Sequence, residues 1–217
     1  DVDFRVESSG NSSMLVVDGG NNRVGVGTGS PFHTFEVWGP NASNGEAKST
    51  MLIMDTASAS TGTGGGLALG GYYDGTSDII YHFGNIQGIK ENSTDGNYAS
   101  AMIFSTRANG ATPLARMRID SSGNVLVGTT STSTATQGIK LRSDLDAIAA
   151  VADGQASGYF GRLNSDGDMI IFRKGGTTIG SVGVSGGNNL FISGQASNHA
   201  GLTFATQAIL PTAVGSP

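Results

Sequence analysis

The sequence predicts an all-β fold. Short runs of alternating apolar and polar residues are separated by clusters of glycine, asparagine, aspartate and serine. These turn signals recur at roughly the 8–12-residue spacing that is typical of all-β proteins. Glycine accounts for 35 of the 217 residues, whereas proline accounts for 5 and charged residues for 13%. The alternation, the turn spacing and the glycine content together favour many short strands joined by tight turns.

The N-terminal part of the chain contains four of these strand patterns. Alternating runs occupy residues 4–7, 14–17, 24–27 and 32–38. Between the first three runs lie Ser-Ser-Gly-Asn at 8–11 and Asp-Gly-Gly-Asn-Asn at 18–22. Glycine and asparagine suit such turns because both tolerate a positive φ. Each run is therefore expected to be a strand that ends at a turn.

The rest of the chain continues in the same manner. Strands are predicted at residues 67–69, 79–83, 101–105, 114–119, 157–163, 169–173, 177–184, 190–192 and 200–205. The glycine-rich residues 61–66 have the composition of a flexible loop. One segment is ambiguous, because Ser143 is a possible helix cap and Gly154 follows a possible helix end. Residues 145–151 also alternate with period two, and their strand-like neighbours favour a strand.

An internal repeat indicates a modular protein. The sequence Phe-Arg-Val-Glu-Ser-Ser-Gly-Asn at 4–11 matches Met-Arg-Ile-Asp-Ser-Ser-Gly-Asn at 117–124. A second match joins Val-Gly-Val-Gly-Thr at 24–28 to Val-Leu-Val-Gly-Thr at 125–129, and Gly-Gly-Asn-Asn occurs at both 19–22 and 186–189. A repeated strand–turn–strand unit favours an elongated, modular assembly over a compact enzyme.

Glycines within a strand suggest that the subunits are intertwined. In residues 24–27 valine alternates with glycine, so one strand face carries methyl groups and the other carries no side chain. Glycine weakens a strand and often marks a bulge or a close backbone approach. Close approach of another chain would offset that cost by burying backbone and valine methyl groups together. The alternative is a twisted monomeric sandwich with bulges.

Composition limits the possible functions. Cysteine is absent and the net charge is −5, so a disulfide framework, a thiolate nucleophile and a basic nucleic-acid surface are not expected. The longest apolar run, residues 147–152, is far short of the ~18–20 residues of a membrane helix. His33, His82 and His199 form no short metal-binding motif, although stacking around a threefold axis leaves a metal site open. We therefore expect no cofactor, no metal, no nucleic-acid partner and no membrane insertion.

Several stretches resemble tail-fibre and tailspike proteins of tailed bacteriophages. Residues 118–130 are similar to a phrase that recurs in that family, and residues 22–31 followed by 34–37 resemble its shaft phrase. Residues 88–107 resemble an insert of marine phage fibres, and residues 162–184 resemble a further shaft segment. The resemblance implies a homotrimeric β-structured fibre on a virion, often followed by an intramolecular chaperone domain. The Ser and Lys dyad of that chaperone domain has no match here.

The resemblance also implies an organisation and a role. We expect an N-terminal shaft repeat at 1–44, a β-rich insert at 45–120, and a C-terminal shaft repeat with a β-meander at 121–217. The expected architecture is an elongated, intertwined homotrimer of short strands, with small β-sandwich-like modules. The expected function is a structural, non-enzymatic segment of the extracellular virion that presents a receptor-binding surface. Its partners would be itself, other tail or baseplate proteins, and a host surface glycan or protein.

Sugar recognition needs aromatic faces beside amides, hydroxyls and carboxylates, and two places in the sequence have these types. Tyr72, Tyr73 and Asp74 form one candidate receptor site after the glycine-rich stretch, and Trp38 is the other. Packing in a core or a trimer interface is the alternative for each. Asp166 with Asp168 is the acidic pair for a second hypothesis, a tailspike-type polysaccharide depolymerase. A cellular surface adhesin or filament subunit is a third.

Overall fold

The computed structural model describes residues 4–39, 50–73, 80–194, 200–206 and 208–213. These residues form sixteen strands and no helix, which confirms the all-β prediction. Accordingly, no helix in the described ranges is long and apolar enough to cross a membrane. The chain divides into two compact units, Asp1–Ala149 and Ala150–Pro217, which are described separately.

The first unit begins with a four-stranded sheet, here called the first sheet. Its strands, in spatial order, are β1 (Phe4–Ser8), β2 (Asn11–Asp18), β3 (Arg23–Val26) and β4 (Phe35–Val37). The first three strands pair antiparallel, whereas β4 pairs parallel to β3. All four were predicted from the alternation, with β4 shorter than expected.

A seven-stranded antiparallel meander, the second sheet, follows. Its strands are β5 (Gly66–Tyr72), β6 (Ile80–Lys90), β7 (Ser100–Thr106), β8 (Leu114–Ile119), β9 (Val125–Val127), β10 (Gly138–Arg142) and β11 (Ala147–Val151). The segment that the sequence left ambiguous between helix and strand contains strand β11 (Ala147–Val151), so the strand interpretation is confirmed. The predicted boundary at residue 120 falls in the turn between β8 and β9, inside this sheet.

The second unit contains a five-stranded antiparallel meander, the third sheet. Its strands are β12 (Gly167–Lys174), β13 (Thr177–Ser185), β14 (Asn189–Gly194), β15 (Ala200–Ala205) and β16 (Ala208–Ala213). Strand β16 was not predicted, and its Pro211 lies on the edge of the sheet, where a missing N–H breaks no ladder. The predicted strand at 157–163 is wrong. Gly158 and Gly161 interrupt it, no described strand pairs with it, and Leu163 is 87% exposed.

The repeated unit is a hairpin that occurs as β2–β3 and again as β8–β9. Gly27 donates its N–H to Met14 O at 3.2 Å, and Gly128 donates its N–H to Arg116 O at 3.0 Å. Both glycines have a positive φ, 77° and 70°. Residues 14–28 are therefore the structural equivalent of residues 116–129. The Ser-Ser-Gly-Asn copy at 8–11 belongs to a different turn, between β1 and β2, so this part of the repeat differs from the sequence match.

Each hairpin turn is held by the aspartate that precedes it. Asn21 donates its backbone N–H and its amide to Asp18 at 3.0 and 2.9 Å. Asn124 donates the same two groups to Asp120, both at 2.9 Å, and its Oδ1 accepts the backbone N–H of Ser143 at 2.9 Å. Asn124 is 2% exposed whereas Asn21 is exposed. The second copy is thus tied into the sheet more tightly than the first.

The interior of the described chain is small and lies on one face of each sheet. The buried apolar residues are Val16, Ala101, Ile103, Leu126 and Phe191. In the first and second sheets the chain's own loops lie against this face. Lys140, opposite Leu126, is fully buried and donates to Thr136 O at 2.7 Å in the loop before β10.

The close approach that glycine was expected to allow is made at Gly25 by the same chain. A Cβ at Gly25 would lie 2.8 Å from Thr28 O and 3.3 Å from Pro31 Cβ. The loop between β3 and β4 therefore packs against this side of the first sheet. The expectation that another chain makes this approach is wrong at Gly25.

Candidate functional site

The second sheet has a face that consists of apolar side chains. Residues directly opposite each other in neighbouring antiparallel strands project from the same face. One such row crosses six strands and comprises Leu67, Ile86, Phe104, Met117, Val127 and Ile139. Their exposure runs from 38% at Ile86 to 51% at Ile139 for the four most exposed members. We call this side the open face of the second sheet.

Rows on either side of this one extend the open face. One comprises Met102, Ile119, Val125 and Leu141, and the other includes Leu69 and Leu114. Lys90 and Thr106 lie at opposite ends of the face. At strand and residue spacings of about 4.8 and 3.4 Å, six strands and five residues cover about 500 Å². That already matches the largest apolar patch of a typical monomer, about 300–600 Å².

The other two sheets have the same construction. On the first sheet the open face comprises Phe4, Val6, Leu15, Val17, Val24, Val26, Phe35 and Val37. On the third it comprises Ile170, Phe172, Val182, Val184, Leu190, Ile192, Leu202, Phe204, Ile209 and Pro211. In both sheets every one of these side chains is exposed or half-buried. The three open faces add up to about 1,100 Å² by the same spacings.

The predicted tyrosine pair is split between two environments. Tyr73 packs edge-to-face on Tyr81, with ring centroids 5.2 Å apart. It lines a pocket of about 390 Å³ together with Tyr81, Phe83, Arg107, Ala108, Asn109 and Gly110. Tyr72 ends β5, is 58% exposed and does not line this pocket. Asp74 lies outside the described residues.

Arg107 gives this pocket its charge. Its guanidinium carbon stands 4.5 Å above the centre of the Tyr81 ring, and its Nε–H donates to Ala111 O at 2.6 Å. Sequence reasoning missed Arg107, Tyr81 and Phe83. The N–H of Arg107 donates to Phe83 O at 2.9 Å, so strand pairing brings these residues together. Only the register of β6 and β7 would have identified them.

Trp38, the other candidate, lies beyond the end of β4 and does not line the pocket. Its side chain is 61% exposed, and its indole N–H donates to Glu36 Oε1 at 2.5 Å. The other oxygen of Glu36 accepts the backbone N–H groups of His33 and Phe32 at 3.0 and 2.6 Å. These bonds, with a smaller contribution from the indole, lower the pKa of Glu36 to about 2. Trp38 therefore presents a ring whose polar edge is already bonded within the chain.

The acidic pair and the histidines were the remaining candidates. Asp166 accepts the backbone N–H of Gly187 at 3.2 Å, and the backbone oxygen of Asp168 accepts a bond from Arg162 at 3.3 Å. The first contact joins Asp166 to the turn between β13 and β14, and the second is local to residues 162–168. His33 lies beside Glu36 and His82 lies within β6, whereas His199 is outside the described residues. Within the described ranges no three potential metal ligands cluster.

Comparison with known proteins adds no family assignment. A scan against protein-family models finds no matching family, and a search of curated proteins finds no similar protein. The functional interpretation therefore depends on the open faces and on the pocket at Tyr73.

Proposed function

We propose that this chain is a structural segment of a bacteriophage tail fibre, and that it functions as a homotrimer. The observation that carries the proposal is the open apolar face present on each of the three sheets. Burial of such surface is the main favourable contribution to association. Their combined area of about 1,100 Å² exceeds the ~800 Å² that each partner contributes to a standard interface.

Copies of the same chain are the partner that these faces fit best. Interfaces of permanent complexes are more apolar than those of transient ones, and charged residues are depleted at their centres. The charged residues on the open faces lie near their ends: Lys90 and Arg116, which donates to Thr106 Oγ1 at 3.2 Å, on the second sheet, and Lys174 on the third. Because all three sheets have such a face, a matching partner needs three apolar surfaces in the same order along its chain. A second and third copy of this chain provide them.

The number three comes from the resemblance to tail-fibre proteins, whereas the burial argument requires only self-association. In this proposal the open face of each sheet is buried against the other copies. Trp38 and the pocket at Tyr73 then offer aromatic surface for a host receptor. The segment would belong to the extracellular virion, next to other tail or baseplate proteins. A cellular adhesin would use the same faces, and neighbouring genes distinguish the two.

Sedimentation velocity of the purified chain tests the proposal. A trimer sediments as a species of about 66 kDa, three times the 22.0 kDa chain. Negative-stain images of that species are expected to have threefold symmetry. A stable 22.0 kDa monomer at micromolar concentration would refute self-association, and a dimer would refute the trimer alone.

A further inference from the structure

The pocket at Tyr73 has a shape and a charge that suit one class of ligand. It lies at the end of the second sheet, beyond the last regular pair of β6 and β7, Gly84 with Thr106. Its volume of about 390 Å³ lies in the lower part of the range for small-molecule sites, about 300–1,000 Å³. Tyr73 and Phe83 are 59% and 47% exposed, so their rings offer apolar surface to a ligand.

The charge of the pocket is positive. Among the described residues, none that lines the pocket carries a carboxylate, and Arg107 has no ion-pair partner. Arg107 has five N–H donors, of which Ala111 O and His82 O, at 2.6 and 3.5 Å, accept two. The guanidinium carbon lies 4.5 Å from the centre of the Tyr81 ring, and the N–H groups that these two carbonyls do not accept are left for a ligand. The remaining edge suits a carboxylate that binds through two parallel hydrogen bonds.

We propose that this pocket binds a sugar that carries a carboxylate, such as a uronic acid residue of a surface polysaccharide. The apolar face of the sugar ring packs on Tyr73 or Phe83, the carboxylate bonds to Arg107, and Asn109 is placed to bond hydroxyl groups. An acidic peptide offers the same charge but not the ring that packs on the exposed aromatic surface. The inference refines the receptor-binding part of the proposed function and does not depend on the trimer.

The test is calorimetric titration of the intact chain with three probes. These are digalacturonate, the neutral galactose disaccharide of the same linkage, and tetraglutamate. We expect digalacturonate to bind about tenfold or more tightly than either of the other two, because it alone supplies both a ring and a carboxylate. Equal binding of the neutral sugar would overturn the role of the charge. Equal binding of tetraglutamate, or no binding of digalacturonate, would overturn the sugar assignment.

Variants identify the groups responsible. Arg107→Gln is expected to lower the affinity for digalacturonate by about tenfold or more, and Arg107→Lys is expected to restore it only in part, because lysine lacks the two-pronged geometry. Tyr98→Ala is the matched control, since Tyr98 is 91% exposed and outside the pocket. Unchanged affinity in Arg107→Gln would refute the proposal.

Sedimentation of the same samples separates this inference from the proposed function. A trimer that does not bind digalacturonate contradicts the sugar site and leaves the assembly proposal standing. A monomer that binds digalacturonate contradicts the assembly proposal and leaves the sugar site standing.

Discussion

Replacement of Ile86 by aspartate is the most direct test of the open face. Ile86 lies in the middle of the six-strand row, between Leu67 of β5 and Phe104 of β7. It is 38% exposed in the single chain, so a carboxylate there reaches water and the protomer is expected to fold. In a trimer built on this face the same carboxylate would be buried among apolar side chains of other copies. The substitution should therefore act on assembly far more than on the fold.

The size of the effect follows from the exposed fraction. An exposure of 38% leaves about 70 Å² of Ile86 for other copies to bury, which is worth about 2 kcal/mol per copy or roughly 5 kcal/mol for three. Burial of an unpaired carboxylate adds a cost of several kcal/mol for each copy. Since 1.4 kcal/mol is a factor of ten, the trimer should weaken by at least about a thousandfold.

Sedimentation velocity across a concentration series measures this change. The matched control is Ala115→Asp on β8, which adds the same charge at an exposed position on the opposite face. We expect the Ile86→Asp chain to sediment as a folded monomer, with the circular dichroism of β-structure, and the Ala115→Asp chain to behave like the wild type. If both variants assemble equally well, the open face is not the interface.

Three further predictions concern the repeat and the cluster around Glu36. Gly27→Ala and Gly128→Ala each force alanine to adopt a positive φ, which costs about 1–2 kcal/mol. A Cβ at Gly27 would also overlap the carbonyl oxygen of residue 38, whereas Gly128 has open space, so Gly27→Ala should lower the free energy of unfolding in urea by more than Gly128→Ala. Equal losses would contradict this geometry. Asn124→Ala should cost about 2–3 kcal/mol because its buried bonds are lost, and Asn21→Ala about 1 kcal/mol or less, since that site is exposed. Because the pKa of Glu36 is lowered to about 2, its contribution to stability is complete above about pH 4.5 and is lost as the pH falls through about 2. The fluorescence of Trp38, whose indole bonds to Glu36, should therefore change with a midpoint near pH 2 and not near 4.5. Glu36→Gln should abolish that change.

Local sequence patterns predicted most of the strands but not all of them. Where alternation and turn residues coincide, as at 4–7 or 101–105, a strand forms. Alternation did not suffice at 157–163, because a strand also needs a neighbour to pair with and none of the described strands provides one. Strand β16 was not predicted because it contains Pro211, and a proline normally argues against a strand. A proline is tolerated here because β16 is the edge strand of its sheet.

The candidate site was predictable only in part. The aromatic cluster after the glycine-rich loop led to Tyr73, whereas Arg107 reaches it through the pairing of β6 with β7. The pairing of β5 with β6, which places β5 beside Tyr81, includes a bulge between Leu69 and Gly70, which no local pattern encodes. Alternation likewise predicted an apolar face for each strand, but not which face the chain's own loops would cover. That choice depends on contacts such as Lys140 with Thr136, which form only in the folded sheet.

The division of each sheet into a buried face and an open face has a consequence for kinetics. A newly synthesised chain can bury Val16, Leu126 and Phe191 by itself. In the proposed assembly, the rows around Ile86 are buried only when other copies associate. Completion of the fold would then be a multimolecular step, whose rate rises with protein concentration. In dilute refolding a monomeric intermediate that binds hydrophobic dyes would accumulate. A higher protein concentration would convert this intermediate to the assembled form.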